Sequence, residues 1–230
     1  MATFPKIDFY PLFDGPSDWE IKEHEQAIKF GLPPLRQLKK TEKINDPCEF
    51  LLHTINNYGH SGLIYNYREQ ILSSLEFRDV KRLTPYLKDI PSTNRYRNIP
   101  QRAILSDVNA EIRDFGSYLA ENQVLFHGGS TTIDQQIITD RPLSTTLCPQ
   151  IALWHAENDF LPNRNLTPVI WILTVSQEIK KKAIIFRKAG SNMEHEFEVL
   201  LESGVFIKPI KRYFVDCVFG DLEVIESVIS

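Results

Sequence analysis

Long apolar runs are missing from this sequence: no segment approaches the ~20 consecutive apolar residues that span a bilayer. The start, Met1-Ala2-Thr3-Phe4-Pro5-Lys6-Ile7-Asp8, has neither the charged opening nor the apolar stretch of a secretory signal, so the expected setting is cytoplasmic, with no membrane partner. Cysteine is scarce. Cys48, Cys148 and Cys217 lie far apart without any C-x-x-C spacing, which excludes a disulfide framework and a cysteine zinc site and leaves buried thiols as the expectation. An excess of basic charge is missing too. With 26 Lys and Arg against 30 Asp and Glu, the formal net charge of -4 gives no long-range attraction to nucleic acid or an anionic membrane, so any such contact has to be local. Gly128-Gly129 neither completes the G-x-G-x-x-G fingerprint of hydride-carrying dinucleotide sites nor follows a βαβ pattern. His127, His155 and His195 are not spaced as ligands, and no metal is implied.

What is present is core material. Hydrophobic residues make up 42% and aromatics 11% of 230 residues, enough to offset the chain entropy of folding. In the first hundred residues, Leu63, Ile64, Tyr67, Ile71, Leu72 and Leu75 recur at helical spacing from Ser61 onward, and Cys48 to Asn57 reads as the helix before it. Trp19 to Phe30 and Asp79 to Leu87 complete four short helices punctuated by Pro33-Pro34, Pro85 and Pro91. Another helix is expected after Ser106 as N-cap, with Asp107 in its first turn and Val108, Ile112, Phe115 and Leu119 as its buried stripe. The period then changes. Val124 to Phe126, Val169 to Leu173, Ala183 to Phe186, Phe197 to Leu201, Val205 to Ile210 and Tyr213 to Phe219 are short β-branched or aromatic runs. The pattern predicts an α+β protein: a helical region over 1–104 packing on a strand-rich core over 105–230.

Three stretches carry chemistry when taken together. Glu196 and Glu198 flank Phe197 at the start of an alternating run, which would put both carboxylates on one face of a strand. Upstream, Gln123-Val124-Leu125-Phe126-His127-Gly128-Gly129 is a strand running into a histidine and two glycines, where the backbone could approach a flat ligand closely. Between them, Pro142-Leu143-Ser144-Thr145-Thr146-Leu147 is a hydroxyl-rich strand feeding a helix at Ile151 to Trp154. Each alone has an ordinary reading, as an exposed edge strand, a turn histidine or strand and cap hydroxyls; their order and spacing point elsewhere. Arg95-Tyr96-Arg97 interleaves bases with an aromatic in a way compatible with single-stranded nucleic acid, and Lys180-Lys181-Lys182 reads as a solvated turn.

That order resembles the mono-ADP-ribosyltransferase superfamily, whose pattern is a strand ending in Arg-Gly or His-Gly, then a Ser-Thr-Ser or Ser-Thr-Thr strand, then Glu-x-Glu before a Val-Leu-Leu-like strand. Here the parts are Leu125-Phe126-His127-Gly128, Leu143-Ser144-Thr145-Thr146 and Glu196-Phe197-Glu198-Val199-Leu200-Leu201, over roughly residues 105 to 228. The resemblance implies two packed antiparallel sheets around a cleft for NAD, behind a helical front. It also implies that NAD is consumed as substrate and that ADP-ribose passes to a macromolecular acceptor. By the same resemblance, Glu198 stabilises the positive charge that develops on the ribose, Glu196 orients or deprotonates the acceptor, and Ser144 holds the Glu198 carboxylate. His127, Gly128 and Thr145 belong to the NAD site. Histidine stands at 127 where the nearest group carries arginine, and Arg164 is a substitute for the missing phosphate contact. Met193 and His195 fall in the acceptor-recognition turn. A bacterial or phage-associated toxin acting on a protein side chain, with an antitoxin or immunity protein as a further partner, is the favoured expectation. Transfer to RNA or DNA and a degenerate NAD-binding or partner-binding module are the alternatives.

Overall fold

The computed structural model describes residues 2–33, 37–58, 62–130, 135–162, 165–186 and 197–230. Six helices precede most of the sheet: α1 (Asp18–Lys29), α2 (Pro47–Asn56), α3 (Gly62–Ser73), α4 (Leu75–Leu83), α5 (Pro91–Asn98) and α6 (Leu105–Phe115). Two short strands among them, β1 (Leu12–Asp14) and β2 (Glu42–Ile44), pair antiparallel. Then come β3 (Ser117–Tyr118), β4 (Val124–Gly129), β5 (Ile137–Ile138), β6 (Leu143–Thr146), α7 (Pro149–Phe160), β7 (Val169–Val175), β8 (Lys182–Ile185), β9 (Glu198–Leu201), β10 (Phe206–Cys217) and β11 (Gly220–Ile229). The fold is α+β, helical in front and strand-rich behind, with one sheet of two strands and one of nine among the described residues.

Local chemistry explains the helix starts. Asp46 caps α2 by accepting from the Glu49 amide at 2.9 Å, and Pro47 fills the first helical position, where its missing N–H costs nothing. Ser74 caps α4 through the Phe77 amide at 3.0 Å. Pro91, expected only as a break, opens α5 in the same N-terminal role. The helix expected from Ser106 starts at Leu105, after Ile104 and without a side-chain cap. It ends at Gly116, so Leu119 is buried beyond it rather than on its stripe, and Phe115 is solvent-exposed. Gly116 belongs there because a Cβ would lie 3.2 Å from the Ala183 carbonyl carbon and closer to the oxygen.

The large sheet runs β3-β8-β9-β6-β4-β7-β11-β10-β5, antiparallel at every step but the parallel pair β7 and β11. Its halves meet where β4 and β6 pair, through the single register pair Phe126 and Thr146. Val199, Leu201 and Ile185 from one half share a hydrophobic cluster with Trp171, Leu173, Ile225 and Ile229 from the other, so the halves pack face to face. Phe4, Phe50, Leu63, Tyr67 and Ile71 belong to that cluster, which makes the helical front continuous with the sheet. The runs expected as two strands at Val205 to Ile210 and Tyr213 to Phe219 are one strand, β10, with a register shift between Pro209 and Lys211. A proline cannot donate to the ladder, and a bulge absorbs it. β11 follows after a tight turn at Gly220, whose φ of 121° suits glycine.

Candidate active site

The cleft opens at the junction of the two sheet halves, where β4 and β6 pair and α7 packs across. It has a volume of about 250 Å³, and Arg97, His127, Ser144, His155 and Glu198 are its polar walls. Glu198 begins β9 opposite Thr146 in register. Ser144 is two residues along β6 from Thr146, hence on the same face, and its Oγ donates diagonally to Glu198 Oε1 at 2.9 Å. The second oxygen, Oε2, is met by Arg97 Nε at 2.5 Å. A carboxylate only 8% exposed is therefore held at both oxygens, which is what a buried charge needs.

The residue before it explains how the carboxylate reaches the cleft. Phe197 has φ +45°, left-handed backbone that a non-glycine residue adopts at a cost of about 1–3 kcal/mol. Its ring is buried against Phe77, centroids 5.7 Å apart and edge-on. The regular pleat of β9 starts at Glu198, directly after this residue. All four residues of β9 are buried, with both faces covered. Glu196, Met193, His195 and Arg164 lie outside the described residues.

His127 is on β4 and half-buried. Its Nδ1–H donates to the Ser144 carbonyl at 2.7 Å, because a carbonyl can only accept; that leaves Nε2 as an acceptor. Burial pushes its pKa below the ordinary histidine value, partly offset by that hydrogen bond, which keeps the ring neutral. His127 thus fixes the backbone of the residue whose hydroxyl fixes Glu198. Gly128 has a packing reason: a Cβ there would lie 2.6 Å from the Ala152 carbonyl carbon of α7 and closer still to the oxygen. The close approach read at this glycine is to a helix. Thr145 lines the cleft, but its hydroxyl donates to the Val199 carbonyl at 2.8 Å and is spent on joining β6 to β9.

Arg97 is the site residue that the sequence reading placed elsewhere. Neither it nor Tyr96 forms a nucleic-acid platform: the Tyr96 ring is buried, and its hydroxyl donates to the Pro142 carbonyl at 2.9 Å. The Arg97 side chain is 4% exposed and stacks on Phe186, 4.7 Å from ring centroid to guanidinium carbon. The signal was present as an aromatic between two arginines, but spacing alone cannot say whether such a triplet faces in or out. His155, read only as a non-ligand, lines the cleft from α7.

Away from the cleft, Asp14, Glu42 and His53 bring three metal-capable side chains within 4.8 Å of one another. Lys39 already pairs with Asp14 there, and His53 Nε2 lies 2.7 Å from the same carboxylate, so these contacts tie β1 to α2. Cys148 is buried and Cys48 and Cys217 are half-buried, all as free thiols. Burial raises the pKa of each, to about 11 for Cys48, the opposite of what a nucleophile requires. No helix among the described residues is long and apolar enough to cross a membrane.

No protein-family model and no curated protein matches this chain. Solved structures of ADP-ribosyltransferases are among those it is similar to. Vis, a toxin from Vibrio splendidus, was determined in complex with the M6 inhibitor; it aligns over 78% of this chain and 90% of its own, at 13% identity and a TM-score of 0.45. Plx2a, a toxin from Paenibacillus larvae, aligns over 71% and 90% at 10% identity and a TM-score of 0.38. BECa, the ADP-ribosylating toxin of a binary enterotoxin of C. perfringens, determined with NADH, aligns over 83% of this chain and 51% of its own, at 14% identity and a TM-score of 0.42.

Proposed function

We propose that this chain is an NAD-consuming mono-ADP-ribosyltransferase that acts as a toxin on a macromolecular acceptor, a protein side chain by preference. The observation that carries the reading is the Ser144 to Glu198 hydrogen bond, which aims a fixed carboxylate into the cleft from the strand where the sequence pattern places it. In this reaction the bond between nicotinamide nitrogen and ribose C1′ breaks, and its electron pair leaves with nicotinamide, which departs neutral and needs no general acid. Positive charge is left on the ribose. Glu198 faces that charge as an ionised carboxylate and lowers the barrier electrostatically. The acceptor nucleophile then bonds to C1′ and loses its proton to a base, the role proposed for Glu196.

A cleft of about 250 Å³ is at the small end for a ligand site and suits the nicotinamide and its ribose, the half of NAD where the bond breaks. His127, Gly128 and Thr145 line the cleft as the proposed NAD contacts, with the His127 Nε2 lone pair available to a ribose hydroxyl. Arg164 is the proposed phosphate contact, and Met193 and His195 the proposed acceptor contacts. A bacterial or phage-associated origin, action in a cytosol and a neutralising antitoxin or immunity protein belong to the same reading; no resident metal is part of it.

The test is labelled NAD incubated with the wild type or Glu198→Gln in a cell lysate. Nicotinamide release is followed, together with label surviving protease, RNase or DNase. The expected result is release that falls about 10²–10³-fold in the variant, the scale of removing one electrostatic stabiliser, and label lost with protease. Label lost only with a nuclease would reassign the acceptor. No release from the wild type would overturn the transferase reading and leave an NAD-binding or partner-binding module.

A further inference from the structure

Glu198 can stabilise a cation only while it is ionised, yet it is placed where ionisation is costly. Glu198 is 8% exposed, and the guanidinium that meets its carboxylate is stacked on Phe186. Ser144 supplies one neutral hydrogen bond and no charge. Among the described residues, groups facing the carboxylate from the packed elements include Arg97 and Tyr96 from α5, Ser144 and Thr146 from β6, His127 from β4 through the Ser144 carbonyl, and His155 across the cleft from α7. Of these, Arg97 alone carries a permanent positive charge, and His127 is held neutral.

We infer that Arg97 is a positioning residue for the reaction: through its Nε contact at 2.5 Å it keeps Glu198 ionised and pointed into the cleft. Resting on the transferase reading, this assigns α5 a part in catalysis, although its arginine acts only through Glu198. The mechanism is electrostatic. A guanidinium beside a carboxylate lowers that carboxylate's pKa by about 1–3 units, and the stacking of Arg97 on Phe186 fixes the charge so that no reorganisation is needed when substrate arrives.

The experiment is the pH profile of nicotinamide release for the wild type, Arg97→Gln and Arg97→Lys, with thermal melts alongside. In Arg97→Gln the acid limb of kcat is expected to move up by about 1–3 pH units, with at least a tenfold loss at neutral pH that alkaline pH partly restores. Arg97→Lys, which keeps the charge but not the planar fork, is expected in between. An acid limb unmoved in Arg97→Gln would overturn the proposal. Should Arg97→Gln not fold, the double variant Arg97→Gln with Glu198→Gln decides. Restored folding shows that an uncompensated carboxylate was the fault, whereas a double variant equally unfolded leaves Arg97 as packing against Phe186 and overturns the proposal. Should the wild type release no nicotinamide, the transferase reading falls by itself. The Glu198 carboxyl signal, assigned in 13C-labelled protein by its loss in Glu198→Gln, then reports the ionisation directly: a titration midpoint raised in Arg97→Gln supports the inference, and an unchanged one overturns it.

Discussion

Helices α5 and α1 make opposite use of their sequences. Helix α5, Pro-Ser-Thr-Asn-Arg-Tyr-Arg-Asn from Pro91 to Asn98, has no aliphatic residue, yet Thr93 and Tyr96 are buried and Arg97 enters the cleft. Helix α1 carries Trp19, Ile21, Ala27 and Ile28 and has no fully buried residue; Trp19 is 67% exposed. Its stability is local, from a capping box in which Ser17 and Glu20 exchange backbone hydrogen bonds at 3.3 and 2.7 Å. Tyr96 and Arg97 go inside where a partner waits for them, the Pro142 carbonyl and the Glu198 carboxylate. Apolar side chains stay outside where the chain offers no surface to cover them.

If the cleft is the rigid region and α1 the loosely attached one, substitutions around the cleft should cost far more. The largest effect is expected from Gly128→Ala. Its methyl group collides with the backbone of α7, which cannot step aside without moving the helix, and overpacking of this kind costs about 1–3 kcal/mol or more. A urea midpoint equal to that of the wild type would show that α7 is free to shift. Tyr96→Phe comes next. It removes the hydrogen bond to the Pro142 carbonyl and leaves that buried acceptor unmet, for about 1 kcal/mol; nicotinamide release should also fall, because that bond ties α5, which carries Arg97, to the residue before β6.

His127→Gln sharpens the same contrast through pH. Burial holds His127 below the ordinary histidine pKa of ~6.5, so on acidification the unfolded chain takes up a proton that the folded protein refuses. Stability contributed by the neutral ring is present above ~6.5, falls as the pH drops below it and levels off once the pH passes the depressed folded value. The glutamine variant should show a flatter decline in urea midpoint between pH 8 and pH 5. An identical slope would mean that the ring is solvated enough to titrate normally.

Legibility followed the reach of the interactions. The Ser144 to Glu198 pair was readable because both residues sit in strands with a recognisable order, and strand pairing brings such motifs together. Helices α2 and α3 were readable because their apolar faces repeat every three or four residues over a full ten or twelve positions. Arg97 was not, because nothing local at residue 97 refers to residue 198. Pro91 misled for a definable reason: proline ends a helix that precedes it and starts one that follows, and the sequence around it is too polar to show which. The left-handed backbone of Phe197 leaves no mark in composition, so the sequence gives no sign of it. In β11, Leu222, Val224, Ile225, Val228 and Ile229 were available to be read; the tight turn at Gly220 separating them from β10 was the feature passed over.

The smallest effect belongs to α1 and is the one most able to break the comparison. Trp19→Gln replaces an exposed indole with a polar side chain on a helix with no fully buried residue, and should change global stability by no more than about 0.5 kcal/mol. Ser17→Ala, which removes the cap, would cost an ordinary helix about 1 kcal/mol, yet here should leave the urea midpoint in place and appear only as faster amide exchange within Asp18–Lys29. A drop in the midpoint for either variant would mean that α1 unfolds together with the core, and the charge knot of Asp14, Lys39 and His53 would then be its coupling to α2.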